Sequence, residues 1–198
     1  MLLLLLACAP RLTSPERPEC ENDGNVWSHA DPAAAGLEAQ GFEEGERPPD
    51  FCQLDQNGDK VSLYQFYGSP VIVDVSTGWC APCQQLAHGI GQTQRAYKDF
   101  GLVYMSVFPQ DFVSAPPTPE FADVWEKEFM VREDLDDLPV DDIAPVIADV
   151  DLWSFAITET QFPRLLLLDE ELRVVSVLPT TDDAIQDELD LYFGLDSD

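Results

Sequence analysis

The sequence predicts an α/β protein in which a central mixed β-sheet is flanked by helices. Short apolar runs alternate along the chain with segments whose apolar residues recur at helical spacing. Their order is a hairpin, a strand, a helix, a strand, further helices, a second hairpin and a last helix. This order is typical of a sheet with a parallel centre and an antiparallel edge. With 198 residues, the chain is long enough for one domain with its own core and an extension.

The first predicted element is a β-hairpin at the start of the domain. Residues 51–54 and 61–63 are short apolar runs, and Asn57 and Gly58 lie between them. Asn-Gly between two such runs is a strong indication of a tight hairpin turn.

A buried strand, a long helix and a second strand follow the hairpin. Residues 71–76 are nearly all apolar, which is typical of a strand that is covered on both faces. Residues 81–100 carry apolar side chains at helical spacing, and Gly89 and Gly91 predict a weak point or a bend in that helix. Residues 102–108 predict the second strand.

The C-terminal part predicts three shorter helices and another hairpin. Thr118-Pro119 is typical of a helix start, because threonine caps the free N–H groups and proline fits the first turn. Residues 149–155 predict a short helix that is capped by its first residue, an aspartate. Two apolar runs around an acidic turn predict a hairpin at 165–178, and residues 181–193 predict an amphipathic last helix.

The N-terminal residues predict a targeting segment and not a folded unit. The apolar start ends in Leu-Leu-Ala before Cys8, which resembles a bacterial lipobox with cleavage before an acylated cysteine. Residues 1–19 are therefore predicted to be a lipoprotein signal and a flexible tether. Residues 20–48 show little periodicity and predict an irregular extension, and residues 49–195 are predicted to form the domain.

This interpretation places the chain on the periplasmic side of a bacterial membrane, held only by a lipid at Cys8. It does not distinguish the inner membrane from the outer membrane. The apolar stretch is shorter than the about 7–15 residues of an ordinary signal, and no basic residue precedes it. An apolar start with an incidental cysteine is therefore the alternative.

The chain is strongly acidic. It has 38 Asp and Glu against 10 Lys and Arg, which gives a formal net charge of −28. Such a surface repels phosphate backbones and argues against nucleic acid as a partner. The composition is compatible with a solvated surface suited to a saline habitat and with a face that selects a basic partner.

The motif Cys80-Ala81-Pro82-Cys83 carries the chemistry, since it lies where a predicted strand ends and a predicted helix begins. One sulfur then sits at a helix N-terminus, where unpaired N–H groups and the helix dipole stabilise a thiolate. A second thiol one turn away allows a disulfide to form and to break.

The cysteine count is compatible with a second disulfide. The chain has five cysteines. If Cys8 carries lipid and Cys80 pairs with Cys83, then Cys20 and Cys52 remain. In an oxidising compartment these two could form a structural disulfide between the extension and the first strand, and two isolated thiols are the alternative.

Several segments together resemble one protein family. They are Pro49-Asp50-Phe51 with the hairpin at 54–58, Val73-Asp74-Val75, the Trp79–Cys83 motif and Gln161-Phe162-Pro163. On these segments the chain resembles the thioredoxin superfamily, and within it the TlpA/ResA-like (redoxin) group of periplasmic thiol-disulfide oxidoreductases. The resemblance covers residues 49–195 and implies a thioredoxin-like fold.

The resemblance implies chemical roles for three residues. Cys80 would be the exposed nucleophile and Cys83 the resolving thiol. Asp74 matches a buried acid that moves protons at the second sulfur, and burial would raise its pKa and make it a general base. A strand acid held by ordinary hydrogen bonds is the alternative for Asp74.

The resemblance also implies a partner groove. Pro163 would be a cis-proline that packs against the disulfide and lines the groove. Phe162 before it is bulkier than the threonine or valine often found there, which leaves the identity of the partner open. Trp79 would shield the disulfide and contact the partner, and a place in the core is its alternative.

The implied activity is thiol-disulfide exchange with protein partners in the cell envelope, without a cofactor. Partners would be protein thiols or disulfides and a membrane electron donor, and we expect a monomer. Ala81 and Pro82 between the cysteines offer no histidine to stabilise the thiolate further, which favours a reductant over an oxidant.

Three other functions are alternatives to this one. Cys80 and Cys83 have the spacing of metal ligands, but a structural zinc requires four ligands, and His29 and His88 are the only histidines, so no metal site is predicted. A thiol peroxidase would place a proline four residues before Thr77, where the chain has none. The third alternative is a non-catalytic binding module. The intact pair of Cys80 and Cys83 argues against it, because binding alone does not require two cysteines.

Overall fold

The computed structural model describes residues 20, 25–27, 36–130, 144–158 and 161–195. The predicted signal and tether at 1–19, with Cys8, lie outside these residues, as does His29. Within the described ranges, no helix combines the length and the hydrophobicity that a membrane crossing requires.

The described residues contain seven strands and four α-helices. The strands are β1 (Cys52–Asp55), β2 (Lys60–Ser62), β3 (Val71–Val75), β4 (Val103–Phe108), β5 (Val146–Ala148), β6 (Arg164–Leu168) and β7 (Val174–Leu178). The helices are α1 (Ala81–Ala96), α2 (Pro119–Trp125), α3 (Phe155–Thr158) and α4 (Asp182–Phe193). Short 3₁₀ turns cover Leu63–Phe66 and Lys98–Phe100, and a π-helical turn covers Glu126–Met130.

These strands form one sheet in the order β2-β1-β5-β4-β3-β6-β7. The central strands β3, β4 and β5 are parallel, whereas the hairpins β1–β2 and β6–β7 pair antiparallel at the two sides. The two hairpins join the centre through antiparallel contacts of β1 with β5 and of β6 with β3. The predicted α/β class with a mixed sheet and flanking helices is therefore confirmed.

The sheet separates two hydrophobic cores. Ile72 packs in the core under α1, together with Leu86 and Ile90 of that helix. Val73 packs in the core on the opposite face. Because side chains alternate along a strand, Asp74 lies on the same face as Ile72, which is the face that α1 covers.

Helix α1 is shorter than predicted and ends at Ala96. A 3₁₀ turn follows, and Gly101 closes it with a φ of 76°, a conformation that favours glycine. Gly89 has a packing role, since a Cβ at this position would overlap the carboxylate of Asp182 at the start of α4. Glycine therefore permits the close approach of α4 to α1.

The helix that was predicted for residues 149–155 is wrong in its bounds, because α3 begins only at Phe155. Asp149 is fully buried and accepts hydrogen bonds from the N–H groups of Trp153 and Ser154 and from the Ser154 hydroxyl. Leu152, which lies between Asp149 and Trp153 in the chain, has a φ of 60°. This left-handed residue interrupts a helix, so the aspartate caps a turn.

The extension is irregular, as predicted, but its described residues are attached to the domain. Cys20 forms a disulfide with Cys52 of β1, with 5.5 Å between the two Cα atoms. The buried Trp27 donates its indole N–H to the Asp55 carboxylate at 2.6 Å. Farther along, Arg47 is buried and donates to a backbone carbonyl of the β6–β7 turn. The extension thus covers the sheet face that α1 leaves free.

We expect Cys20→Ser and Cys52→Ser to lower the free energy of unfolding by the same amount, about 3–4 kcal/mol. The disulfide closes a loop with a sequence separation of 32 and restricts the unfolded chain accordingly. Urea unfolding followed by tryptophan fluorescence measures the change. The double variant should be no less stable than either single variant, and unchanged midpoints would show that this bond contributes nothing in solution.

Candidate active site

The two cysteines of the motif lie at the start of α1 and form a disulfide, with 5.2 Å between their Cα atoms. Cys80 is the N-cap residue, and its sulfur accepts a hydrogen bond from the backbone N–H of Cys83 at 3.3 Å. An opened disulfide would leave the Cys80 sulfur at this positive helix end, which stabilises a thiolate.

The two sulfur-bearing residues differ in access to solvent. Cys80 is 5% exposed and Cys83 is 1% exposed. The residue that was expected to be an exposed nucleophile thus presents only a small part of its surface in the disulfide form. The difference still favours attack through Cys80, because Cys80 lines the groove in front of the disulfide and Cys83 is not among its lining residues.

A tight loop between β3 and α1 positions the motif. The Gly78 N–H donates to the Gln110 carbonyl at 3.1 Å, and a Cβ on Gly78 would lie 2.6 Å from backbone atoms of Asp111 and Phe112. Only glycine permits this close approach. The Gln84 side-chain amide donates to the Gly78 carbonyl at 2.9 Å and closes the loop from the helix side.

Trp79 covers one side of the disulfide. It is 48% exposed, so the alternative that it is a core residue is wrong. Its indole N–H donates to the Gln110 side-chain oxygen at 2.9 Å, and its ring meets the Phe162 ring edge-on at a centroid distance of 5.9 Å. Sequence reasoning missed Gln110, because only the folded chain brings this loop beside the motif.

An open groove of about 630 Å³ lies in front of the disulfide. The peptide bond between Phe162 and Pro163 is cis, and both residues line the groove. The lining consists of Trp79, Cys80, Ala81, Pro82, Gln161, Phe162, Pro163 and Thr180. No charged side chain is among them, so the groove can accept a neutral segment of a partner. Thr180 carries no sequence pattern that predicts this position, whereas Gln161 belongs to the segment that contains Pro163.

Asp74 is a buried acid on the α1 side of the sheet. It is 2% exposed and accepts hydrogen bonds from the Ser76 hydroxyl at 2.7 Å and the Ser106 hydroxyl at 3.5 Å. Burial raises the pKa of Asp74 to about 7, although both hydrogen bonds lower it. The carboxyl can therefore gain or lose a proton near neutral pH.

A buried tyrosine belongs to the same environment. Burial is the main cause that raises the pKa of Tyr104, and the charge of Asp74 raises it further. Its phenol stays protonated and adds no charge beside Asp74. The acid is thus surrounded by neutral groups, which leaves desolvation as the dominant influence on it.

The remaining predicted residues lie apart from the groove lining. Cys20 and Cys52 belong to the extension and β1. His88, one of the two histidines of the chain, lies beside the Phe129 ring at a centroid distance of 6.2 Å. The structure thus brings together Trp79, Cys80, Phe162 and Pro163, with Cys83 behind them.

Comparison with protein families matches residues 45–116 to the AhpC/TSA family, which is less than half of the chain. A relative from Bacillus subtilis (strain 168), the thioredoxin-like protein YneN, is 26% identical over 157 residues. That alignment covers 76% of this chain and 81% of the relative.

Solved structures show the same architecture. One is the thioredoxin domain of thiol-disulfide oxidoreductase BVU-2223 from Bacteroides vulgatus, with a TM-score of 0.59, 22% identity and coverage of 75% of this chain and 97% of that domain. Another is the peroxidoxin BcpB from Mycobacterium tuberculosis, with a TM-score of 0.57, 13% identity and coverage of 79% and 99%. The thioredoxin-like fold is therefore confirmed.

We expect Asp74→Asn to be more stable than the wild type at pH 8 and similar to it at pH 4. In the unfolded chain this carboxyl ionises near pH 4, whereas in the folded protein it stays protonated up to a pKa of about 7. The protonated acid therefore stabilises the wild type fully below pH 4. This stability is lost as the pH rises through 7, about 4 kcal/mol in all.

Urea unfolding at both pH values measures this difference. Asp99→Asn, which removes the same charge at an exposed position, is the control and should leave the pH profile unchanged. Parallel profiles for the wild type and Asp74→Asn would contradict the raised pKa.

Proposed function

We propose that this protein is a thiol-disulfide oxidoreductase that exchanges disulfides with protein partners through Cys80 and Cys83. The main support is the position of this disulfide, at the N-terminus of a helix and at the bottom of an open groove. The similarity to a thioredoxin-like protein of B. subtilis agrees with the proposal.

The exchange proceeds in two displacements. The Cys80 thiolate attacks one sulfur of a partner disulfide, the partner's other sulfur leaves as a thiolate and takes up a proton, and a mixed disulfide forms. The deprotonated Cys83 then attacks the Cys80 sulfur and releases the second partner sulfur as a thiol. The partner gains two electrons and two protons, and the protein is left with the disulfide of the structure.

Asp74 is the general base for Cys83 in this proposal. A buried acid with a pKa of about 7 is partly ionised at neutral pH, and its carboxylate can accept a proton from a thiol. Its place on the α1 face puts it on the same side of the sheet as the core that contains Cys83. The helix N-terminus stabilises the thiolate of Cys80. The two thiols are therefore activated by two different groups.

The groove binds an extended segment of the partner around its cysteine. Phe162 and Trp79 form an aromatic wall on one side, and Pro163 lines the groove together with Cys80. We place the protein on the periplasmic side of the membrane, with envelope proteins as partners and a membrane electron donor. Reduction of partners is favoured over oxidation, because no histidine lies between the cysteines.

Thiol peroxidase activity is the second candidate, and the match of residues 45–116 to the AhpC/TSA family favours it. Against it stands Val73, where the peroxidase pattern has a proline before Thr77. Hydrogen peroxide consumption by the reduced protein separates the two functions. With an exchange enzyme, hydrogen peroxide should be consumed only at the uncatalysed rate. With a peroxidase, it should be consumed rapidly, and Cys80 should be sufficient for that reaction.

Cys80→Ser should abolish reduction of a test protein disulfide such as insulin, because no thiolate remains at the helix N-terminus. Cys83→Ser should accumulate a mixed disulfide with the substrate, visible on a non-reducing gel, since the second displacement is lost. The Cys20→Ser/Cys52→Ser variant is the matched control and should retain activity. Retained activity in Cys80→Ser would refute the proposed roles.

Cys8→Ser should release the full-length protein from membranes into the soluble fraction, because the proposed lipid anchor depends on that sulfur. Fractionation of cells that express the wild type and the variant measures this. The Cys20→Ser variant, which removes a neighbouring cysteine, should stay with the membranes. Equal distribution of the wild type and Cys8→Ser would argue for an incidental cysteine.

A further inference from the structure

A second cavity lies beside the disulfide groove and shares one wall with it. It has a volume of about 520 Å³ and is lined by Arg164, Gln161 and Ser176, among others. Gln161 lines both spaces. The cavity floor includes Leu166, whose side chain belongs to the core on the sheet face opposite α1. We call this cavity the arginine pocket.

Arg164 has no partner for its charge among the described residues. It is part-buried, and its Nε is covered from solvent and has no hydrogen-bond partner. In the described part of the chain, its guanidinium forms neither a hydrogen bond nor a salt bridge. By contrast, Arg47 and Arg173 each donate hydrogen bonds. In a chain with a net charge of −28, an unpaired guanidinium facing a cavity is unexpected, because covering it from water costs free energy.

The chemistry of this group selects an anion. A guanidinium offers several N–H donors in a planar fork that fits a carboxylate, and such charge-assisted bonds are among the strongest in proteins. Gln161 and Ser176 add neutral polar groups to the same lining. The inner part of the arginine pocket is therefore suited to a carboxylate.

The outer part of the pocket has the opposite charge. Glu43 and Glu44 of the extension line it and are exposed, and no salt bridge joins either of them to Arg164. One cation and two carboxylates thus line a single cavity without pairing with one another. A ligand group that carries both charges, an ammonium and a carboxylate, is complementary to both parts. The cavity volume lies within the range of small-ligand sites.

We propose that the arginine pocket binds the amino-acid end of small peptide thiols and their disulfides, so that their sulfur reaches the groove at Cys80. This rests on the proposed function and names a substrate class for it. Arg164 holds the carboxylate, and Glu43 and Glu44 hold the ammonium group.

The reaction with such a peptide disulfide follows the same two displacements. The Cys80 thiolate attacks one sulfur, and the first peptide leaves as a thiolate and takes up a proton. The Cys83 thiolate then displaces the second peptide from Cys80. The protein loses two electrons, and the peptide disulfide becomes two thiols.

Stopped-flow fluorescence of the protein with Cys80 and Cys83 reduced and the Cys20–Cys52 disulfide intact tests the proposal. Glutathione disulfide is the probe, since each half carries an α-amino-acid group, and 2-hydroxyethyl disulfide is the uncharged reference. Arg164→Gln should lower the second-order rate constant for glutathione disulfide about 10-fold and leave that for the reference unchanged. Arg164→Lys should retain part of the preference for glutathione disulfide over the uncharged reference. The double variant Glu43→Gln/Glu44→Gln should lower this preference as well.

Arg95→Gln is the matched control, because it removes the same charge from an exposed position on α1. It should leave the ratio of the two rate constants unchanged. An unchanged ratio in Arg164→Gln, or an equal loss for both disulfides, would overturn the proposal while leaving thiol-disulfide exchange intact. If the wild type reacted with neither disulfide, the proposed function itself would fail.

A binding measurement without chemistry completes the test. Titration calorimetry of the oxidised wild type with S-methylglutathione, which cannot exchange its sulfur, should show binding at one site. The dissociation constant should rise about 10-fold in Arg164→Gln and stay the same in Arg95→Gln. Equal affinity of the wild type and Arg164→Gln would place the peptide elsewhere and overturn the proposal.

Discussion

The hydrogen bond from the Cys83 N–H to the Cys80 sulfur is the contact on which the proposed chemistry of this protein depends. It exists because the first N–H groups of a helix have no intrahelical partner, so a sulfur at the N-cap can accept from them. The loop before α1 keeps that sulfur in place, and Gly78 permits the loop to lie against the backbone of residues 110–112. The reactive position is therefore a consequence of how a buried strand passes into a helix.

The site also contains features that do not stabilise the fold. A buried acid whose pKa is about 7 destabilises the folded protein at neutral pH, and a half-exposed tryptophan leaves apolar surface in water. The extensive core on both faces of the sheet and the disulfide of the extension offset these costs. The disulfide of the extension is at Cys20 and Cys52, apart from the reactive pair, whereas the core under α1 both stabilises the fold and contains Cys80 and Cys83.

The extension has more than a structural role in this view. It attaches to the domain through the Cys20–Cys52 disulfide and through Trp27, and it lies on the face that α1 leaves free. There it contributes Glu43 and Glu44 to the cavity that also contains Arg164. In the proposed function, a segment without periodicity in its sequence defines which small thiols approach the disulfide, because it adds charge beside a groove whose described lining residues carry none.

The order of the elements, the hairpin turn at Asn57-Gly58 and the strand-to-helix position of the cysteine motif could all be predicted, since each depends on residues close together in the chain. The burial of Asp74 could be expected from its apolar neighbours for the same reason. The late start of α3, the insertion of β5 between β1 and β4, and the roles of Gln110 and Arg164 could not. These depend on contacts between segments that are distant in sequence, and no local spacing of residue types encodes which loop will lie beside which.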